Sequence, residues 1–408
     1  MIKFKIYPVT PPFLNIRDYF SLIKNIFNAH YSDVKILEKK LAGELEGKYA
    51  IITSSARAAI MVILLALEKD DKNEILLPAY TCIVVPDAVV SAGYVPRFVD
   101  VDKTTGNPSL ENYQKEYSYK TKAIILTHMF GNMTQVEKIV NWAKKNKIFI
   151  IEDACLAFGG TYKGKKSGSF GDSSVISFNT GKPITSFGGG LISTNSFLLY
   201  NKFKNILRSI TSPLPIRKRF SLYISIFVGP LLFNPFIYQI TVKLPKLLPF
   251  LRKFQNPISI EKKEQVVSYT VDKLQLSLIS SQISRFRSII IRRHKLFGIY
   301  NKIFSGKKCL IPFNHEKDTY LSPSHYSLII SDTGKKEMLI LKALEQGVRI
   351  GDVFDYVCPL TPAYGITNRF PKSVYLSKHI VNIPFYPDLD EKKALEIGEI
   401  IVKIMESR

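Results

Sequence analysis

The sequence predicts an α/β protein whose main sheet is mostly parallel, and three observations support that prediction. Between residues 48 and 178, short β-branched or aromatic runs alternate with longer amphipathic stretches, which is the pattern of βαβ units. Several of these runs are apolar throughout, as in strands that helices cover on both faces. The chain has 408 residues, of which 46% are hydrophobic and 22% charged. It can therefore bury a core, and it falls in neither the disordered nor the collagen-like class.

Seven runs are predicted to form the strands of this sheet, because each is short, apolar and bounded by turn residues. They are Tyr49–Thr53, Ile75–Leu77, Val95–Val101, Ala123–Thr127, Ile148–Ile151, Ser174–Phe178 and Gly190–Thr194. The intervening segments show helical periodicity, as in Ala58–Leu67 and Thr134–Lys145. Helices should therefore flank this seven-stranded sheet.

The C-terminal part of the sequence predicts a smaller α+β unit. An apolar run at His325–Ile330 indicates a strand, and periodic stretches at Lys335–Gln346 and Asp390–Met405 indicate helices. Asp388 or Asp390 is expected to cap the last helix.

The order of these elements predicts how the chain divides. Residues 1–30 are expected to form an N-terminal arm and residues 31–268 a large domain. Residues 269–408 are expected to form the smaller C-terminal domain, which begins with one long helix or two over 269–304. An apolar insertion of about 207–262 interrupts the large domain.

The insertion contains the segment Phe220–Val242, which has 23 residues and no charge. Its length would permit a membrane-spanning helix, but Gly229-Pro230 and Pro235 interrupt its middle and remove helical hydrogen bonds. We expect a broken apolar hairpin that packs against its own dimer or rests on a membrane surface, since basic residues flank it on both sides.

Charge and cysteine content limit the classes of partner. Lys and Arg number 57 against 34 Asp and Glu, a net charge of +23, which favours anionic partners. Nucleic acid is not among those expected, because no basic recognition helix or aromatic platform is recognisable. The four cysteines lie far apart with no metal-ligand spacing, so we expect reduced thiols, no metal site and a cytoplasmic protein. The N-terminus shows no secretory signal pattern.

The chemistry is expected between residues 148 and 195. A predicted buried strand is followed by Glu152-Asp153, and open α/β sheets bind ligands at the carboxyl ends of their strands. Further along the chain come Ser177, at the end of another strand, and Lys182 before a run of glycines. Taken singly, each residue is more typical of a helix cap, a turn or a solvated surface.

Together these features resemble the DegT/DnrJ/EryC1/StrS family of sugar aminotransferases. The family's E-D-A, S-F-G-D, S-F-x-x-x-K and G-G motifs match Glu152-Asp153-Ala154, Ser169–Asp172, Ser177–Lys182 and Gly189-Gly190. The stretches LPAYTCIVVPDAVVSAGYVPRFVDVD, THMFGN and FPKSVYLSKHIVNIPFYPDL resemble further family blocks. The resemblance runs through nearly the whole chain and implies the fold type I architecture of pyridoxal-phosphate enzymes.

The resemblance also implies roles for individual residues. Lys182 is expected to bond covalently to pyridoxal 5'-phosphate, and Asp153 to pair with the pyridine nitrogen of its ring. Ser177 and the backbone amides of Ala56 and Arg57, at a helix N-terminus, are expected to hold the phosphate. The family further implies a homodimer with shared active sites.

Several positions depart from the family pattern. Ala56-Arg57 replaces Gly-Thr, although Arg can still meet a phosphate. Leu156 replaces a polar residue, and Cys82 replaces a ring that stacks on the cofactor, for which Tyr80 is a possible substitute. Ser268 and Thr270 replace the Asn and Arg of an N-Y-R motif.

The predicted function is transamination of a keto nucleotide-linked sugar to an amino sugar, with glutamate as donor, in cell-surface polysaccharide or other glycan biosynthesis. One alternative is a catalytically lapsed, membrane-associated scaffold of the same fold, prompted by Leu156, Cys82, Ser268 and the apolar insertion. Another is a pyridoxal-dependent sugar dehydratase, against which Lys182 argues, because dehydratase relatives carry His there. The sugar, its nucleotide and the stereochemistry depend on pocket shape.

Overall fold

The computed structural model describes residues 5–27, 33–68, 70–243, 260–367 and 369–407. Its strands, numbered in chain order, are β1 Tyr49–Thr53, β2 Glu74–Pro78, β3 Val95–Val99, β4 Thr121–Thr127, β5 Phe149–Asp153, β6 Thr161–Tyr162, β7 Lys165–Lys166, β8 Ser173–Ser177, β9 Gly190–Thr194, β10 Thr211–Ser212, β11 Ser268–Tyr269, β12 Leu310–Pro312, β13 Thr319–Tyr320, β14 Tyr326–Ile330 and β15 Ile380–Ile383.

Fifteen α-helices lie among the described residues. They are Ile16–Ile26, Val34–Gly43, Ala56–Leu65, Val84–Ser91, Leu110–Glu116, Val136–Lys145, Phe197–Ile210, Ile216–Phe227, Gly229–Leu232, Pro235–Lys243, Lys273–Ile283, Phe286–Phe304, Thr333–Glu345, Pro371–His379 and Glu391–Glu406.

The predicted seven-stranded sheet is confirmed, with the order β1-β9-β8-β5-β4-β2-β3. β9 runs antiparallel to its neighbours β1 and β8, and the other pairings of this sheet are parallel. β8 and β9 are buried along their whole length, because helices cover both faces. The parallel strands therefore end at one edge of the sheet, which we call the carboxyl edge.

The C-terminal unit is confirmed as α+β. β12, β14 and β15 form an antiparallel sheet that packs with the last helix, Glu391–Glu406. Asp390 caps that helix by accepting from the amides of Lys392 and Lys393 at 2.9 and 3.2 Å. The division at residues 30 and 268 stays a prediction.

The connection between the two parts is two helices, not one. Lys273–Ile283 ends where Arg285, the residue before Phe286–Phe304, forms an ion pair with the buried Asp18 of the N-terminal helix. This charge-assisted hydrogen bond holds the N-terminal helix Ile16–Ile26 against the junction between the two connecting helices.

The segment predicted to form a broken hairpin consists of three helices, and we keep the name hairpin for it. They begin at Ile216, Gly229 and Pro235, so both breaks fall at the Gly-Pro and Pro positions seen in the sequence. Among the described residues, none of the helices combines the length with the hydropathy that crossing a bilayer needs.

Candidate active site

The carboxyl edge of the large sheet brings three predicted site segments together. Asp153 ends β5, Ser177 ends β8, and Ser55, two residues beyond β1, is the N-cap of helix Ala56–Leu65. β5 and β8 are direct neighbours, and β9 separates β8 from β1. Residues far apart in sequence thus meet where open sheets of this type bind ligands.

The adjacent carboxylates Glu152 and Asp153 have different surroundings. Because side chains alternate along a strand, they point to opposite faces of β5. Glu152 is fully buried and accepts hydrogen bonds from the amides of Gly168, Phe170 and Gly171 at 2.6, 2.7 and 3.1 Å. His128 Nε2 lies 2.8 Å from its Oε1. Glu152 therefore anchors the loop that leads into β8.

Asp153 lies on the face of β5 opposite Glu152 and is also buried. Its Oδ1 accepts from the amide of Cys155 at 3.1 Å. Burial raises the pKa of the Cys155 thiol well above its ordinary value, and the Asp153 charge acts in the same direction. The carboxylate thus lies close to the Cys155 thiol.

Lys182 is half-buried in the loop between β8 and β9. Its charge acts to lower the pKa of both Cys82 and Cys155, whereas Asp153 acts to raise both. Lys182 and Asp153 therefore both lie near these two thiols, although they belong to different segments. The structure brings together the two residues on which the predicted chemistry depends.

The predicted phosphate cradle, formed by Ala56, Arg57 and Ser177, includes the start of a capped helix. Ser55 Oγ accepts from the amide of Ala58 at 3.1 Å and caps the helix that begins at Ala56. Gly190 of β9 passes so close that an added Cβ would lie 2.5 Å from the Ala56 nitrogen, so this position requires glycine. The Arg57 guanidinium forms an ion pair with Glu264 at 2.6 Å, which the sequence did not suggest.

Ser177 lies at the end of β8 and is buried. Its Oγ accepts from the amide of Asn179 at 3.3 Å, which leaves the hydroxyl proton available for a further acceptor. It stands opposite Gly190 in the strand pairing, and Gly190 is the residue that touches the start of helix Ala56–Leu65. Ser177 is thus close to the predicted cradle.

Tyr80 does not present a ring at the site. The side chain is fully buried, its hydroxyl donates to the Phe354 carbonyl at 3.0 Å, and its ring packs edge-to-face on Phe354. A ring with no exposed face cannot stack on a ligand, so the suggestion that Tyr80 replaces the aromatic ring missing at Cys82 is wrong.

Sequence reasoning missed two buried residues next to Lys182. Arg293 donates to the carbonyls of Pro323, Ser324 and Lys182 at 3.2, 3.1 and 3.4 Å. Burial lowers the pKa of Arg293 to about 9. Burial, reinforced by the charges of Lys182 and Arg293, lowers the pKa of His325 to about 3, so this imidazole is neutral at physiological pH. An isolated Arg in a helix and an isolated His before a strand carry no signal in the sequence.

The departures Ser268 and Thr270 lie in the short pair β10 and β11. Ser268 Oγ is 2.9 Å from Thr211 Oγ1, and Thr270 Oγ1 donates to the Ser212 carbonyl at 3.2 Å. Both hydroxyls are satisfied locally and supply no cation. Among the described residues, no cluster of His, Cys, Asp or Glu could hold a metal ion, and the four cysteines are free thiols.

Comparison with known proteins places this geometry in a family. The chain is 37% identical over 169 residues to GDP-perosamine synthase of Escherichia coli O157:H7, which is 41% of this chain and 46% of that protein. The match thus spans about half the length of that relative. An uncharacterized protein of Methanocaldococcus jannaschii, MJ1066, is 26% identical over 376 residues, 90% of this chain and 89% of that protein.

Among solved structures, Helicobacter pylori PseC, an aminotransferase involved in the biosynthesis of pseudoaminic acid, superposes with a TM-score of 0.80 at 19% identity. The match covers 99% of this chain and 100% of that chain, so the two share a fold. The model of the DegT/DnrJ/EryC1/StrS aminotransferase family matches residues 19–220 and 254–402. The chain belongs to the DegT/DnrJ/EryC1/StrS aminotransferase family.

Proposed function

We propose that this chain is a pyridoxal-phosphate-dependent aminotransferase that converts the keto group of a nucleotide-linked sugar into an amino group. The observation that carries the proposal is that Asp153 ends β5 while Lys182 follows the neighbouring strand β8, and that both lie near the thiols of Cys82 and Cys155. Family membership supports the cofactor, and the name of the relative GDP-perosamine synthase supports a nucleotide sugar as substrate. Glutamate is the proposed amino donor, and glycan biosynthesis, such as that of a cell-surface polysaccharide, is the proposed use of the product.

The residues present fit this cofactor in the chemistry of their groups. A buried carboxylate suits a protonated pyridine nitrogen, a half-buried lysine suits an aldehyde, and a serine hydroxyl near a capped helix N-terminus suits a phosphate. The ion pair of Arg57 with Glu264 leaves its backbone amide, not its side chain, as the proposed phosphate donor.

When bound, pyridoxal phosphate supplies an aldehyde that exchanges amino groups and a ring that withdraws electrons. The Asp153 carboxylate would keep a proton on the ring nitrogen, because its burial strengthens the attraction between them. Lys182 Nζ would accept a proton from the substrate carbon that carries nitrogen and would return it during the exchange. Arg293, which holds the Lys182 carbonyl, would fix the loop that carries this amine.

We further propose a homodimer with shared active sites, in keeping with the family. A cytoplasmic location is proposed as well, which the four free thiols support.

Reductive trapping tests the proposal. The protein is incubated with pyridoxal phosphate, reduced with borohydride and digested, and the modified peptide is identified by mass spectrometry. We expect the label on Lys182 and none in Lys182→Ala. A label spread over surface lysines, equal in both proteins, would contradict the assignment.

The lapsed scaffold remains the alternative, since Cys82 and Leu156 supply neither ring nor polar group where relatives have them. Such a scaffold could trap the cofactor yet would not consume glutamate in the presence of any keto sugar. The dehydratase alternative predicts that the unaltered protein removes water from a keto nucleotide sugar and forms no amino sugar.

A further inference from the structure

The hairpin of helices Ile216–Phe227, Gly229–Leu232 and Pro235–Lys243 exposes large apolar side chains on its outer side. Ile216 is 74% exposed, Phe220 68% and Leu231 57%. Further members of the same set are Ile224, Val228, Phe236, Ile237 and Ile240. We call these eight residues the hairpin face. Monomeric soluble proteins rarely leave so many large apolar side chains uncovered in one segment.

The hairpin face is distinct from the side that holds the hairpin to the protein. Ile226 is fully buried in a cluster with Leu22, Leu274 and Leu278. Ile216, Phe220 and Ile224 follow one another at intervals of four residues, and residues four apart lie on the same side of a helix. One side therefore packs on the body of the protein, and another leaves large apolar side chains exposed.

The charged residues of the chain segment that contains the hairpin all have one sign. From Ser173 to Ile260 the sequence contains 11 Lys or Arg and no Asp or Glu. Arg217 and Lys218, beside the start of the hairpin face, are exposed. Asp272, which belongs to another segment, pairs with Arg219 at 3.3 Å, but the hairpin itself supplies only cations. An apolar surface with cations beside it suits a layer with an apolar interior and an anionic boundary.

The charge also argues against a second copy of the hairpin as the occupant. A two-fold interface places the same surface on both subunits, so it would bring the two cationic segments together. The family supplies no occupant either, since its model matches residues up to 220 and resumes at 254. The family model thus leaves most of the hairpin unmatched.

We propose that the hairpin face docks this protein on the surface of a membrane that contains anionic phospholipid. The docking is peripheral, because the segment is broken at Gly229-Pro230 and Pro235 and its longest helix is Ile216–Phe227. It does not depend on the proposed reaction, since the hairpin face includes no proposed site residue.

Vesicle flotation tests this proposal. The full-length protein is mixed with vesicles of phosphatidylcholine alone or of equal parts phosphatidylcholine and phosphatidylglycerol, at low and high salt. We expect flotation with the anionic vesicles at low salt and loss of flotation as salt rises. Phe220→Ser combined with Leu231→Ser should weaken the partition at least tenfold, because each side chain loses the benefit of leaving water.

The matched control is Leu341→Ser, which changes a leucine that is 65% exposed on helix Thr333–Glu345, outside the hairpin. It should float like the unaltered protein. Circular dichroism melting identifies any variant that fails to fold, and Arg217→Glu then serves as the second probe, with weaker anionic binding expected.

Two results would overturn the proposal. One is an unaltered protein that stays in the soluble fraction with both vesicle types. The other is a double variant that loses a dimer in light scattering while the unaltered protein does not float, which would make a second copy the occupant of the hairpin face.

Discussion

Glu152→Gln should destabilise the fold although it changes only one oxygen to an amide group. The carboxylate is fully buried, and its two oxygens accept from three backbone amides and lie beside His128. A Gln amide has one acceptor oxygen. In either orientation, at least one of the three backbone amides loses its acceptor, and the remaining bonds lose the help of the charge.

The magnitude follows from these contacts. An orphaned buried donor costs about 1–3 kcal/mol, and a charged bond is worth about 1 kcal/mol more than a neutral one. We therefore expect the free energy of unfolding to fall by about 3 kcal/mol, measured by urea denaturation followed by circular dichroism. A Glu152→Gln protein as stable as the unaltered one would refute the role assigned to Glu152.

The neighbouring variant Asp153→Asn, on the opposite face of β5, should lower the free energy of unfolding less than Glu152→Gln does. It should instead weaken the binding of pyridoxal phosphate.

Three further changes test other parts of the site. Gly190→Ala should lower the free energy of unfolding by about 2 kcal/mol or more, because the added Cβ would collide with the backbone at Ala56. The control is Gly43→Ala, whose added Cβ meets nothing within 4 Å. Equal stability of the two variants in urea denaturation would contradict the predicted collision. The pKa of His325 is lowered from 6.5 to about 3 in the folded protein, so His325 binds a proton more readily in the unfolded chain. Its contribution therefore lowers the free energy of unfolding as the pH decreases from about 6.5 towards 3. At pH 5 the loss relative to neutral pH is roughly 2 kcal/mol. His325→Gln should remove that part of the pH dependence of the free energy of unfolding, and an unchanged slope would place the imidazole in water. Arg293→Lys should lower kcat more than it raises KM for the keto sugar, because an ammonium group cannot bind all three carbonyls that the guanidinium binds. Equal kcat and KM in the two proteins would show that the loop carrying Lys182 does not need Arg293.

Much of the fold follows from local patterns. The strands Tyr49–Thr53 and Gly190–Thr194 have their predicted ends, because apolar runs between turn residues leave little choice of boundary. The hairpin breaks fall at Gly229 and Pro235, since proline removes a helical hydrogen bond. The sequence leaves open whether one helix or two cover residues 269–304, because Asp18, the partner of Arg285 at the break, is distant in sequence.

The sequence motifs predict the site residues that lie within or next to the motifs themselves. Asp153 and Ser177 end neighbouring strands at one edge, since the sheet order brings these strand ends together. Lys182 lies in the loop that follows Ser177. The engagement of Arg57 by Glu264 and the burial of the Tyr80 ring depend on tertiary contacts that no local pattern encodes. His325 and Arg293 were missed for the same reason.

Transfer of labelled nitrogen tests the central claim most directly. The protein is incubated with pyridoxal phosphate, glutamate labelled with heavy nitrogen and a panel of keto nucleotide sugars, and the products are analysed by mass spectrometry. The account predicts a labelled amino nucleotide sugar, formed together with an equal amount of 2-oxoglutarate by the unaltered protein and not by Lys182→Ala. Equal product from both proteins would contradict it, as would a protein that binds the cofactor but transfers no nitrogen to any sugar in the panel.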